Sequence, residues 1–304
     1  MTIAATGQNA EGFADARRGL LLGLVAVALF SLTLPATRAA VSHFSPWFVA
    51  SGRAVVAALL ALAVLAVVRP PLPTGAQWKQ LGVIALGVVF GFPFFTTWAM
   101  QHVPAAHGAV VLALLPLMTA LAGAWVAHER PGALFWSLAV LGSILAVAYA
   151  LRQGGGGFHA ADAALLAAIV AAALGYALGA ETSRSLGGWQ TISWALVLSL
   201  PVNVVIAALT WPTNVHGAAT TVWAGFAYVS LISMYLGFFP WYRALAIGGI
   251  ARVGQIQLLQ PFMTFAASAL WLGEVIDRET LLFAVAIAII VGLGRRAPIR
   301  MQHR

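Results

Sequence analysis

From residue 19 to residue 39 the chain runs through twenty-one residues in which Arg38 carries the only charge. An α-helix rises about 1.5 Å per residue, so a run of that length reaches across the roughly 30 Å hydrocarbon core of a bilayer. Nine comparable runs follow, at about 47–68, 80–100, 105–127, 132–151, 163–180, 189–210, 222–242, 253–273 and 280–294. Inside lipid every backbone amide must find a partner within the protein, which leaves only helices and closed barrels. These runs are continuous rather than alternating with period two, so they predict helices. Composition agrees: the chain is 62% hydrophobic and 8% charged, with a mean hydropathy of +0.93, where a soluble domain carries about 25% charged residues. The expected fold is an all-α membrane protein with ten transmembrane helices.

The segment PLMTALAGAWVAHE at 116–129 returns 145 residues later as PFMTFAASALWLGE at 261–274, with six of fourteen positions identical. Adding 145 to the first five apolar runs lands close to the last five, in order. The chain therefore reads as two five-helix repeats, 19–151 and 162–296, joined by the glycine-rich connector RQGGGGFHAA at 152–161 and flanked by tails at 1–18 and 297–304. Because the first run has a counterpart in the second half, it is expected to be a retained span and not a cleaved signal peptide. An odd number of helices per half makes the second repeat enter the membrane from the opposite side, so the repeats are inverted.

Basic residues set the orientation. With both termini in the cytoplasm, twelve Lys and Arg residues fall on the cytoplasmic side and three, Arg38, Arg152 and Arg278, on the other; Arg53 lies inside the second run and counts on neither. The net charge of +8 is thus explained by topology and by contact with anionic lipid of the bilayer. The arginines are scattered singly among short loops with no basic stripe, which argues against nucleic acid as a partner. No obligate protein partner is evident. The absence of cysteine excludes disulfides and Cys-based metal sites, and no cofactor or other metal is implied.

Inverted repeats are a hallmark of secondary transporters, which bind solute near the midplane between the repeats and rock one against the other. The stretches WAMQHVPAAHGAVVLALLPLMTALAGAWVAHERP (98–131) and WYRALAIGGIARVGQIQLLQPFMTFAASALWLGEVI (241–276) resemble the paired repeats of EamA-type ten-helix permeases of the drug/metabolite transporter superfamily. Within it the chain looks most like YddG-type exporters of aromatic and other neutral amino acids. The resemblance implies a small-molecule substrate of that class, a bacterial inner membrane location and no enzymatic activity. The chain departs from the pattern at Phe30-Ser31, where Trp-Gly is frequent, at His128, where Gly precedes the glutamate, and at His107, where a small residue is common.

Several residues are candidates for the pathway. Phe90, Phe94, Trp98 and Gln101 share one face of the third run, and Tyr235 and Phe239 occupy positions equivalent to Phe90 and Phe94, followed by Trp241 and Tyr242. They line either an aromatic cavity for an amphipathic solute or the lipid interface. Pro93 and Pro240 bend the helices beside them. Gln257 and Gln260, with Gln255 and Thr264, make the ninth run unusually polar. Amides are costly in hydrocarbon, so these side chains either bond neighbouring helices or face the pathway. Tyr176, Ser31 and Thr33 add further polar edges.

Pro116 and Pro261 interrupt the two repeated segments and serve as hinges or as static kinks; Glu129 and Glu274, which end them, are read as capping or gating groups. Gly87/Gly91 and Gly175/Gly179 have the spacing for close helix packing. Arg53 has three possible fates: to reach outward along its stem, to bond a carbonyl, or to meet a substrate carboxylate.

No H-E-x-x-H, no G-x-S-x-G and no pair of intramembrane carboxylates supports a hydrolase, and no charged or carbonyl-lined filter supports a channel. All eight acids fall in the tail, in loops or at helix ends, Asp162 among them near the outer surface, so a midplane carboxylate for proton coupling is lacking. His107 is the strongest titratable candidate that remains, read first as a pore-mouth histidine bonding solvent or substrate. A carrier that needs no proton gradient is the expected mode, with a proton-coupled drug/metabolite antiporter, or a channel-like facilitator of other small metabolites, the alternatives.

Overall fold

The computed structural model describes residues 3–153, 159–294 and 299–301; half of the glycine-rich connector and most of the basic tail lie outside the described residues. Ten helical rods follow one another among them. They are α1 (Ile3–Ser31 continuing as Thr33–Val41), α2 (Pro46–Val68), α3 (Gly75–His102), α4 (Ala105–Val126) and α5 (Ala133–Gln153) in the first half. In the second half are α6 (Ala160–Leu186), α7 (Gly188–Leu209), α8 (Thr220–Gly248), α9 (Ile250–Gly254, Gln255–Leu259 and Gln260–Leu272 in succession) and α10 (Arg278–Gly294). Seven, namely α1 from Arg17 onward, α2, α3, α4, α6, α7 and α8, are long and apolar enough to cross a bilayer.

Helix starts follow from local chemistry. Ser45 accepts the Phe48 amide ahead of Pro46 at the first turn of α2, and Thr74 with Gln77 forms a reciprocal capping box at the start of α3. A short antiparallel pairing of Glu129–Pro131 with Ile299–Met301 joins the segments that follow α4 and α10.

The helix pairing is that required by a two-fold axis exchanging the halves. Helix α2 packs on α7, α4 on α9 and α5 on α10, and each of these pairs maps onto itself. The α1–α8 contact maps onto the α6–α3 contact. The irregularities repeat too. A π-helical stretch at Ala85–Gly91 in α3 is matched by one at Val229–Leu236 in α8. Helix α4 restarts at Leu115, one residue before Pro116, and α9 restarts at Gln260, one residue before Pro261. The break in α1 after Ser31 has no counterpart in the continuous α6. Its cause is Pro35, which has no N–H to give the Ser31 carbonyl four residues back. The Thr264 hydroxyl donates to that carbonyl instead, at 2.7 Å, tying α9 to α1.

Small residues let the halves approach. A Cβ built on Gly87 would stand 2.5 Å from the Ala171 carbonyl oxygen, and one on Gly175 would stand 2.5 Å from Val88 Cγ1. The two glycine motifs of α3 and α6 therefore meet each other, as the close-packing spacing predicts. Gly179 leaves room for the Tyr242 ring, whose Cε1 would lie 2.1 Å from an added Cβ.

Candidate substrate pathway

A small cavity lies at the junction of the halves. From the first half it is lined by Phe30, Thr33, Arg53, Val88, Phe92 and Leu115; from the second, by Tyr176, Ser233, Met234, Phe238 and Gln260. Val88 and Ser233 are 145 residues apart, as are Leu115 and Gln260; Phe30 and Tyr176, and Phe92 and Phe238, are 146 apart. Most of the wall thus comes in equivalent pairs, which places the cavity on the pseudo-two-fold axis. The pairs are not chemically alike. Tyr176, Ser233 and Gln260 are polar where their first-half partners Phe30, Val88 and Leu115 are apolar. The cavity is amphipathic as a result. Its free volume, about 20 Å³, holds roughly one water molecule, so the walls are closed around it in this conformation.

Arg53 enters this cavity seven residues into α2, about 10 Å along the helix. It is 1% exposed. Its Nη2 donates to Ser233 Oγ at 2.9 Å, and Ser233 Oγ lies 2.9 Å from Thr33 Oγ1. Nε and Nη1 have no partner among the described residues, and no described carboxylate pairs with the guanidinium.

At the end of the bundle that the basic-residue count assigns to the outside, Glu274 bridges the halves. Its carboxylate accepts the Ala105 and Ala106 amides at the start of α4, at 2.9 and 3.0 Å, and the Arg38 Nε at 3.2 Å. Unpaired amides and the positive end of the helix dipole make such a helix start a natural seat for a carboxylate. Arg38 also donates through Nη1 to the Met100 and Val103 carbonyls, at 2.9 and 2.5 Å, clamping the end of α3. The geometry is that of a closed latch. The Glu129 side chain, its counterpart in the first half, lies outside the described residues.

Three cavities flank this latch. One of about 440 Å³ is lined by Trp98, His102, His107, Tyr149, His159 and Asp277, among others. The others, of about 510 and 400 Å³, share Arg38 and Ser42; Gln101 lines the first and Glu274 the second. His107 Nε2 lies 2.7 Å from Asp162 Oδ1, and both side chains are buried. Asp162, expected near the outer surface, is 1% exposed, and its second oxygen accepts the His159 amide. The carboxylate turns inward because it closes the first turn of α6 while His107 covers it from α4. His107 is therefore held by a carboxylate while it lines the outer cavity.

The other expected site residues are distributed unevenly. Tyr176 and Gln260 line the central cavity, and Trp98 and Gln101 stand at the outer cavities. Phe90 packs on Phe94, and Phe94 on the exposed Trp47, on a face turned from the central cavity. Tyr235 packs edge-on against Phe239, its hydroxyl 2.9 Å from Ser193 Oγ. Tyr242 is fully buried and donates to the Gly175 carbonyl at 3.3 Å. Gln257 is buried with its amide unpartnered among the described residues and lies outside these cavities. The wall positions on α3 and α8 are Val88, Phe92, Ser233, Met234 and Phe238. Helical spacing identified an aromatic face on each helix, but spacing alone does not say which face meets the cavity. Aligning the halves at 145 pairs Val88 with Ser233 and Leu115 with Gln260, but it pairs Phe90 with Tyr235 equally well and does not single out the cavity positions.

Two pseudo-symmetric helical halves closing on a shared amphipathic cavity define a membrane transporter of the two-repeat class. The chain belongs to the EamA-like transporter family, whose model matches residues 17–152 and again 159–293. It is 45% identical over 278 residues, 91% of this chain and 97% of the relative, to a protein of Bacillus subtilis (strain 168) named "Uncharacterized transporter YdeK". It is 26% identical over 225 residues, 72% of this chain and 74% of the relative, to a "Probable terminal-alkyne amino-acid exporter" of Streptantibioticus cattleyicolor. A solved structure titled "Crystal structure of protein" superposes with a TM-score of 0.64 at 17% identity, covering 90% of this chain and 98% of its own, which shows a shared fold.

Proposed function

We propose that this protein is an alternating-access secondary transporter, with ten spans and both termini in the cytoplasm, that exports small neutral amphipathic metabolites across a bacterial inner membrane. Amino acids, aromatic ones included, are the substrate class. The observation that carries this is the central cavity, which sits on the axis relating the halves and joins a polar wall to an aromatic one. A zwitterion with an apolar side chain has the matching division. The amino-acid export named for the Streptantibioticus relative supports the same class. The latch at Glu274 and Arg38 keeps the outer end shut, and rocking of the halves would exchange it for an opening there. Pro116 and Pro261, each beside a wall residue, are the hinges of that motion. Hydrolysis and channel conduction are not part of the proposal, and neither a cofactor nor a metal is required.

Solute flux follows the solute's own gradient, since no described carboxylate lines the central cavity. Proton-coupled exchange is the second reading, and the His107–Asp162 pair beside the outer cavity is what favours it. The test is a panel of radiolabelled solutes with the purified protein in liposomes. Saturable flux of leucine and phenylalanine is expected; flux of sugars or nucleotides without amino acids would make the substrate class wrong.

A further inference from the structure

Of the three fates open to a cation inside a span, the structure closes two. Arg53 does not reach outward, being 1% exposed, and among the described residues its hydrogen bond goes to the Ser233 hydroxyl and not to a carbonyl. Nε and Nη1 remain buried without partners among the described residues, beside a cavity with no described carboxylate. A buried guanidinium in that condition is strongly disfavoured unless an anion joins it at some stage of the protein's work. Arg53 also breaks the pairing of the wall: counted from the helix starts, Pro46 and Gly188, the equivalent position on α7 is Ala195, which carries no charge. Neither the two-fold nor helix packing accounts for a charge here.

We propose that Arg53 is the carboxylate-recognition residue of the central site, so that the transporter takes monocarboxylates and rejects cations lacking that group. The proposal rests on the carrier reading above and names the chemistry of its site. When the halves separate enough to admit solute, Nε and Nη1 donate to the carboxylate, while Ser233, itself bonded to Thr33, holds Nη2 in place from the other side. The aromatic wall, Phe30, Phe92 and Phe238, receives the apolar end. A single cation among rings matches one negative charge and leaves a phosphate dianion half compensated. The site's own positive charge repels amines without a carboxylate, which sets this protein apart from exporters of cationic drugs.

The experiment compares L-phenylalanine with phenylalaninamide, which keeps the ring and the ammonium and replaces the carboxylate by a neutral amide. Each is tested as a competitor of labelled phenylalanine uptake into liposomes carrying the full chain. In the wild type the amide should compete at least about thirtyfold less well, the scale expected when one partner of a buried charge pair is removed. Arg53→Gln should lose this discrimination. Arg53→Lys, which preserves charge and bulk if the glutamine variant fails to fold, should bind phenylalanine about tenfold more weakly because the guanidinium donors are gone. Equal competition by amide and amino acid in the wild type, or wild-type affinity in Arg53→Lys, would make the arginine a structural one only and leave the carrier reading intact. Transport of neither compound by wild-type protein would overturn both.

Discussion

Thr119 and Thr264 occupy equivalent places in the repeated segment and do different work. Thr264 satisfies the Ser31 carbonyl that Pro35 leaves open, whereas the Thr119 hydroxyl is buried without a partner among the described residues. Thr264→Val should therefore destabilise the protein by about 1–3 kcal/mol, and Thr119→Val should be neutral or slightly stabilising. Thermal unfolding of the detergent-solubilised variants checks the contrast, and equal losses would contradict it. Glu274→Gln should loosen the outer latch, because a neutral amide is a poorer partner for Arg38 and for two helix-start amides. The chain has no cysteine, so Thr33→Cys in the central cavity reports alone. Its labelling by a membrane-impermeant maleimide from outside should speed up about tenfold in the Glu274→Gln background; an unchanged rate would remove the gating role. At this scale the sequence was partly legible. Glu274 stood out because it repeats, but its partners are backbone amides at the start of another helix, and composition does not encode those. Asp162 looked like a loop acid because it begins α6, and only the fold brings His107 over it.

Helix existence was legible throughout, since apolar runs of this length have few alternatives in lipid. Helix irregularity was legible only where proline marks it. The kinks before Pro116 and Pro261 follow from the missing N–H, while the π stretches of α3 and α8 carry no residue signature. Phe92 and Phe238, and not Phe90 and Phe239, line the wall. Glycine spacing did foretell the α3–α6 contact, and a pair of substitutions on one helix tests its tightness. Gly87→Ala should cost about 1–3 kcal/mol, since its Cβ would strike the Ala171 carbonyl. At Gly82 the nearest atom to an added Cβ is 4.0 Å away, and Gly82→Ala should change stability by less than about 0.5 kcal/mol. Similar losses at both positions would mean that α3 and α6 are not in close contact.

For the whole molecule, the inverted repeat is both the most legible feature and the basis of the mechanism. One half written twice in opposite senses gives two nearly equivalent arrangements, and the cavity on the axis is the place both share. The sequence could not reveal how the halves differ at that place, where the second contributes Tyr176, Ser233 and Gln260 and the first contributes Thr33 and Arg53. The central claim is that solute crosses by occupying this shared site in turn from either side. Counterflow tests it most directly: liposomes loaded with millimolar unlabelled phenylalanine, at equal pH inside and out, are diluted into trace labelled phenylalanine. The account predicts a transient accumulation of label above its external concentration, abolished when the internal amino acid is omitted. Label that only equilibrates, at a rate linear in concentration, would contradict alternating access at a shared site.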